Sequence, residues 1–300
     1  MSVSDTHAFY QHALEQCLRI QTGLMQSHTL ANGEKVWVRQ AGARNSIWRY
    51  RLLKIVQKIS GIDILLPVPN LGGISSLQTE ATRLQTLSTA GVQVPTILAQ
   101  QPDALMISHM GEHNLEKEWK KQKSEPEILL QRWQLGLNAI EDVHRRNQYL
   151  SETFARNMIY INHNSIGFID FEDDPLSVMT LPHCHARDWL CYLHSGARLM
   201  QDFGVAEQAK ALWDSILQQQ PQEVFQTVVK SLRKIRWMRH FNANIMVRTQ
   251  SNWPPWLLLP KPRFSRSSCT DQASKAKGCS HLQSYSLVFL HSLKIYPTAF

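Results

Sequence analysis

Long apolar runs are missing from this 300-residue chain. No stretch reaches the roughly 18 consecutive apolar residues that a membrane-spanning helix requires. The first residues combine acids and histidines without an apolar segment, unlike a secretory signal peptide. The sequence therefore predicts neither a signal peptide nor a membrane-spanning helix, and we expect the protein to lie in the cytoplasm.

Cysteine pairs with metal-binding spacing are also lacking. The chain has 5 cysteines, scattered and without a Cys-x-x-Cys motif: Cys17, Cys184, Cys191, Cys269 and Cys279. An odd and scattered set favours free thiols in a reducing compartment over a disulfide framework.

Acidic residues are scarce at the C-terminal end. Residues 241–300 contain seven Lys or Arg and one acid, so this segment carries most of the net charge of +8. The first 240 residues are close to neutral, which argues against nucleic-acid binding by the folded part. The segment is rich in Ser, Pro and Lys and has no helical or strand period. We expect a low-order basic tail or an out-of-frame translation, and assign it no function.

Two short apolar runs, 158–161 and 166–169, flank a polar stretch that is typical of a hairpin turn. If the hairpin closes at the centre of that stretch, Ile159 pairs with Phe168. Asn157 then faces Asp170, with Cβ atoms roughly 5 Å apart. An amide oxygen and a carboxylate at this separation suit Mg²⁺. The alternative interpretation is an ordinary acidic loop after a strand.

The spacing around this hairpin has a second meaning. His144 precedes Glu152 by eight residues, Asn157 follows Glu152 by five, and Asp170 follows Asn157 by thirteen. These intervals resemble those of the catalytic loop and Asp-Phe-Gly triplet of the protein-kinase-like fold. The segment is most similar to bacterial kinases of the lipopolysaccharide core (heptose or Kdo kinases) and related small atypical kinases.

The resemblance implies a role for each matching residue. Glu152 stands at the position of the catalytic Asp, which orients the acceptor hydroxyl and accepts its proton. Asn157 and Asp170 stand where kinases hold Mg²⁺. The chain departs from the pattern at Leu150, in place of the loop His, and at Glu172, in place of the triplet Gly.

The first third of the chain contains the matching nucleotide elements. After an Asn-Gly turn, residues 35–39 alternate as a strand, and Arg39 takes the place of the lysine that grips ATP phosphates. The resemblance pairs Arg39 with Glu80, on a helix predicted over 75–90. A strand predicted over 104–108 leads into residues 109–111, which fit the hinge between the two lobes of the resembled fold. By resemblance, the backbone that contacts adenine belongs to Ile107, Ser108, His109 and Met110.

A Gly-x-Gly-x-x-Gly phosphate loop is absent before that strand. The Pro- and Gly-rich stretch 67–73 either replaces it or only connects two elements. Residues 46–60 form a basic amphipathic pattern. This helix either packs on the small sheet or docks on anionic lipid headgroups or a phosphorylated glycolipid at the inner membrane.

Helical periodicity dominates the second half of the chain. A helix is predicted to end near Arg146, with Ser124 as the first residue of a capping box. Further helices are predicted over 186–203, 206–219 and 222–240. His144 is expected to be a hydrogen-bonded histidine at the edge of the core. Asp188 resembles the buried acid that braces the catalytic loop in kinase-like folds.

Together these features predict a monomeric α+β protein, and the resemblance implies a kinase-like bilobal fold. Residues 1–108 form a small antiparallel-sheet lobe with one key helix, 109–240 a mainly helical lobe, and 241–300 the tail. The resemblance implies an ATP- and Mg²⁺-dependent phosphotransferase acting on a hydroxyl, either of a lipopolysaccharide core sugar or of a protein Ser/Thr. The alternative is a non-catalytic kinase-like binding module, a pseudokinase. Arg39, Glu152 and the absent glycine loop favour it, and the retained Asn157 and Asp170 oppose it.

Overall fold

The computed structural model describes residues 3–43, 68, 70, 72–162 and 164–238. The amphipathic segment 46–60 and the tail 241–300 lie outside the described residues, so the predictions made for them stay predictions.

The N-terminal part is a small sheet with one helix on each side. Its elements are α1 (Val3–Ile20), β1 (Met25–Thr29), β2 (Lys35–Gln40), α2 (Gly73–Thr89), β3 (Ile97–Gln101) and β4 (Ala104–Ser108). The four strands are ordered β1-β2-β4-β3, and every neighbouring pair is antiparallel.

Strand β4 shows how the sheet is covered on both faces. Ala104 and Met106 belong to the apolar cluster that includes Leu14 of α1, whereas Leu105 and Ile107 belong to the cluster that includes α2. These four residues of β4 are all buried. Side chains alternate between the two faces of a strand, so a continuous apolar run is what a doubly covered strand needs.

The C-terminal part is mainly helical. Its elements are α3 (Leu115–Lys121), α4 (Pro126–Arg145), a 3₁₀ turn (Ala155–Asn157), β5 (Met158–Asn162), β6 (Ser165–Phe168), a second 3₁₀ turn (Pro175–Ser177), α5 (Leu181–Asp202), α6 (Ala206–Gln219) and α7 (Gln222–Met238). Strands β5 and β6 form a separate two-stranded hairpin. The whole is a mixed α+β fold with a small antiparallel sheet and several helices, as predicted.

Aromatic side chains fill the centre of the helical part. Trp119 of α3, Trp133 of α4 and Tyr192 of α5 are fully buried, and their ring centroids lie 4.8–5.6 Å apart. The helices approach closely because Gly136 and Gly196 face these rings: a Cβ on Gly136 would lie 2.8 Å from Tyr192 Cε2.

Two local predictions are wrong. Residues 18–24, a strand candidate in the sequence, instead include the end of α1 at Ile20, and β1 begins only at Met25. The capping box at Ser124 does not form, since Glu125 is the N-cap of α4 and makes no side-chain capping bond. The proline that follows Glu125 already has the backbone angle of a first helical residue and lacks the N–H that a cap would satisfy.

None of the helices in the described part of the chain combines the length and apolar composition needed to cross a bilayer. Three cysteines there, Cys17, Cys184 and Cys191, are buried free thiols.

The aromatic cluster generates a stability prediction. A Cβ at residue 196 would lie 2.8 Å from the Trp119 ring and would also contact Trp133. Both rings are fully buried. Gly196→Ala should therefore destabilise the protein by about 1–3 kcal/mol in chemical denaturation, although alanine is the better helix former.

Gly23→Ala is the matched control, because the nearest atom to its Cβ would be Met25 O at 3.7 Å. It should change the free energy of unfolding by no more than about 0.5 kcal/mol. Equal stability of the two variants would mean that the rings adjust freely.

Candidate active site

The β5–β6 hairpin forms where it was predicted, with one difference in register. The pairs are Met158 with Phe168, Ile159 with Gly167 and Tyr160 with Ile166, followed by an irregularity before Asn162 pairs with Ser165. The predicted pairing of Ile159 with Phe168 is therefore wrong by one residue. The predicted register holds at the turn, and the irregularity beyond Tyr160 shifts the rest of the ladder.

Asn157 and Asp170 nevertheless meet at the open end of this hairpin. Asn157 Nδ2 donates to Asp170 Oδ2 at 3.1 Å and to the Glu152 carbonyl at 3.0 Å. The Ile169 N–H donates to the Asn157 carbonyl at 3.0 Å, which fixes the backbone between the two side chains. The predicted juxtaposition is confirmed, and it leaves Asn157 Oδ1 as the amide atom able to contact a cation.

Asp170 has a backbone conformation that is unusual for a residue with a side chain. Its φ angle is 76°, in the left-handed region that costs non-glycine residues energy. Residues held in this way concentrate at functional sites, where the surrounding structure sustains the strain.

The charge environment of Asp170 favours a cation. Burial and, to a smaller extent, the carboxylates of Glu152 and Glu172 raise the pKa of Asp170 to about 7, against the opposing effect of Arg39 and Arg156. A buried carboxyl near two others can ionise readily only beside additional positive charge.

Arg39 and Glu80 form the ion pair that the sequence predicted. Arg39 Nη1 lies 2.8 Å from Glu80 Oε2, and Glu80 is buried with 3% of its surface exposed. Burial opposes the charge of Arg39, but Glu80, Glu172 and Asp170 together raise its pKa. The pKa of Glu80 is raised to about 7, mainly by burial and against the opposing effect of Arg39.

Glu172 joins this pair, which the sequence reasoning missed. Arg39 Nη2 contacts Glu172 Oε1, so the two arms of one guanidinium hold two carboxylates. Glu172 Oε2 accepts hydrogen bonds from Asn70 Nδ2 and Ser76 Oγ, each at 3.2 Å. The available signal was that the arginine at 39 and the acid at 172 both depart from the kinase pattern with complementary charges.

The loop that carries Glu152 is fixed by Asp188 of α5. The Leu150 N–H and the Thr153 hydroxyl each donate to this carboxylate at 2.8 Å. His144 Nε2 lies 3.0 Å from Asp188 Oδ2. The predicted hydrogen-bonded His144 and the predicted bracing by Asp188 are both confirmed.

Glu152 lies among charges of both signs. Burial raises its pKa, Asp173 raises it further, and Arg187 and Arg156 lower it. Arg156 Nη2 lies 3.4 Å from Glu152 Oε2. A carboxyl with a raised pKa is better able to take a proton near neutral pH, as a general base must.

The predicted hinge residues occupy two different environments. Ile107 is buried in the core, and the Ser108 N–H donates to the Thr96 carbonyl at 2.9 Å. His109 Nδ1 receives a hydrogen bond from Trp37 Nε1 at 3.1 Å. Met110 packs against Gly167 of the hairpin. Ile107 and Ser108 thus belong to β4 and are held in the sheet, whereas His109 and Met110 lie just beyond the end of the strand.

In the described part of the chain, no group of three or more His, Cys, Asp or Glu side chains is placed to hold a metal ion. The predicted pair offers one carboxylate and one amide. Such a pair suits Mg²⁺, which usually keeps several waters and takes further oxygens from substrate phosphates.

Asp188 generates a pH prediction. Burial raises its pKa to about 7, against the lowering effect of the Leu150 and Thr153 hydrogen bonds. In the folded protein this carboxyl then keeps its proton up to higher pH than in the unfolded chain. Its contribution to stability is fully present below about pH 4, the ordinary range of an aspartate, and is lost as pH rises through 7.

Asp188→Asn is uncharged at every pH and removes this dependence. The variant should gain stability relative to wild type between pH 4.5 and 7.5, by on the order of 1 kcal/mol or more. Denaturant unfolding of both proteins measures the difference. Burial lowers the pKa of His144 and of His185 in both proteins, but Asp188 raises that of His185, so this histidine contributes part of the difference. A difference that stays constant with pH would show that Asp188 is ionised throughout.

Neither models of known protein families nor curated protein sequences match the chain.

Proposed function

We propose that this chain is an ATP-dependent phosphotransferase with a kinase-like bilobal fold, moving the γ-phosphoryl group to a hydroxyl acceptor. The observation that carries the proposal is the convergence of two pairs, Arg39 with Glu80 and Asn157 with Asp170. The pairs come from the small sheet with its helix and from the β5–β6 hairpin. Arg39 and Asp170 influence each other's pKa, so both pairs lie in one electrostatic environment.

The residues would divide the work as follows. ATP supplies the phosphoryl group, and Mg²⁺ neutralises charge on its phosphates. Asn157 and Asp170 would hold the cation, and Arg39, oriented by Glu80, would contact phosphate oxygens. The chain after β4, at His109 and Met110, would contact adenine together with the backbone of Ile107 and Ser108.

Glu152 would orient the acceptor hydroxyl and accept its proton. Phosphoryl transfer depends mainly on positioning and charge stabilisation, and the hydrogen bonds from Leu150 and Thr153 to Asp188 provide that positioning for the loop. The extra methylene of Glu relative to Asp moves the carboxylate outward by about 1 Å, a displacement large enough to affect rate.

The acceptor is proposed from the resemblance alone, as a sugar of the lipopolysaccharide core or a protein Ser/Thr. We propose a cytoplasmic monomer. Contact with an anionic membrane surface through residues 46–60 belongs to the same proposal and concerns a segment outside the described residues.

A non-catalytic kinase-like binding module is the second candidate. The observation that favours it is the double occupation of Arg39, whose two arms contact Glu80 and Glu172. The position of Arg156 beside Glu152 supports it too, since an arginine at 3.4 Å reduces the basicity of that carboxylate.

Magnesium-dependent binding tests the metal assignment. Asp170→Asn should weaken ATP binding in Mg²⁺ at least about tenfold, on the order of 1.4 kcal/mol, because the variant loses the charge that would hold the cation. Calorimetric titration with and without Mg²⁺ measures this. Asp142→Asn, which removes an exposed carboxylate paired with Arg146, is the control and should bind as wild type does. Equal affinities for wild type and Asp170→Asn would contradict the assignment.

Glu152 separates the enzyme from the binding module. Glu152→Gln should abolish phosphoryl transfer to lipopolysaccharide core sugars and to protein Ser/Thr, yet leave ATP affinity nearly unchanged. The amide keeps the size of the side chain but can neither hold the hydroxyl by charge nor take its proton. Glu152→Asp should keep or raise the rate.

Glu223→Gln, on the exposed side of α7, is the control for this series and should transfer at the wild-type rate. Absence of transfer by the wild-type protein to every acceptor, with intact ATP binding, would leave the binding module as the function.

A further inference from the structure

The surroundings of the Glu172 carboxylate have the composition of a phosphate site. One oxygen contacts the Arg39 guanidinium, and the other accepts from the amide of Asn70 and the hydroxyl of Ser76. Guanidinium, amide and hydroxyl donors around one anion are the groups with which proteins bind phosphate oxygens.

Other contacts hold Asn70 and Arg39 in this arrangement. Asn70 and Ser76 are buried, with 3% and 5% of their surface exposed. Asn70 Oδ1 accepts from the Gly72 N–H at 2.9 Å, which fixes the amide with its nitrogen toward Glu172. Glu80 fixes the other arm of Arg39 at 2.8 Å. Asn70 and Arg39 are therefore each held by a contact that does not involve Glu172.

We infer that Arg39, Asn70 and Ser76 form a binding site for a phosphate group and that Glu172 is its internal occupant. The inference deepens the proposed function, on which the identification of the anion as a nucleotide phosphate rests. The Glu172 carboxylate already uses Arg39 Nη2, Asn70 Nδ2 and Ser76 Oγ, so a phosphate can take these donors only by displacing it.

Glu172 thus sets the affinity of the site for phosphates. The intact ion pair competes with the ligand, so the apparent affinity is reduced by the fraction of molecules in which the pair is closed. Glu172 replaces the glycine of the kinase pattern, and Arg39 replaces its lysine. The two replacements are then linked, because the residues form an ion pair. The acid occupies the arginine until a phosphate replaces it.

The test is calorimetric titration with inorganic pyrophosphate, a probe that contains phosphates but no adenosine. Glu172→Gln keeps an oxygen able to accept from Asn70 or Ser76 but removes the charge that holds Arg39. The variant should bind pyrophosphate roughly tenfold more tightly than wild type. Glu172→Asp keeps the charge on a shorter side chain and should bind with intermediate affinity, which preserves the test if the Gln variant does not fold.

Two controls make the gain specific. Glu116→Gln removes one carboxylate from an ion pair with Lys120 on α3 and should bind pyrophosphate as wild type does. In Arg39→Gln/Glu172→Gln the gain should disappear, since the guanidinium that Glu172 occupies is gone. A folded Glu172→Gln variant with wild-type affinity, or a gain that persists without Arg39, would overturn the inference.

Parallel measurements separate this inference from the proposed function. Magnesium-ATP binding and phosphoryl transfer are measured on the same wild-type preparation. A gain in pyrophosphate affinity without any ATP binding by wild type or variant would refute the proposed phosphotransferase while supporting the phosphate site. ATP binding and transfer without a gain in Glu172→Gln would support the enzyme and refute the role of Glu172.

Discussion

The carboxylate of Asp188 connects three parts of the molecule, α4, α5 and the loop that carries Glu152. It lies on α5, accepts from the backbone of Leu150 and the hydroxyl of Thr153, and contacts His144 at the end of α4. A fully buried acid is costly unless each oxygen is satisfied. The loop therefore adopts the one path that satisfies it, and Glu152 takes its position as a consequence.

A second constraint acts on the other side of the site. Arg39 projects from β2 toward two acids, one from α2 and one from the segment after the hairpin. Arginine can serve both because its donors diverge in a plane, which the single ammonium of lysine does not match. The small sheet and the hairpin are thus joined by charge at the place where a ligand phosphate is proposed to bind.

The sequence predicted the parts of this structure whose signal is local. The apolar run at Ala104–Ser108 and the periodic segment Ala206–Gln219 have the predicted bounds, because the apolar pattern within each segment marks its ends. The early start of α5 at Leu181 was missed, since Pro182 at its first turn was not weighed as a helix start.

The site was predictable to the extent that spacing along the chain encodes it. Asn157 meets Asp170, and Arg39 meets Glu80, as expected from interval and resemblance. The contact between Arg39 and Glu172 was beyond such reasoning, because it depends on how two distant segments pack. The register of the hairpin was also not available, since a local irregularity in a strand leaves no mark in its apolar pattern.

The glycines of the aromatic cluster have a consequence for mutational scanning. Gly136 and Gly196 bear no functional group, yet each lies against rings that cannot retreat without opening the core. In a scan of every position, both glycines would be as intolerant of replacement as the charged residues around Asp170. Sensitivity to substitution alone would therefore not distinguish residues that pack the core from residues that form the site. Only a readout that separates protein abundance from ligand binding would distinguish the scaffold from the site.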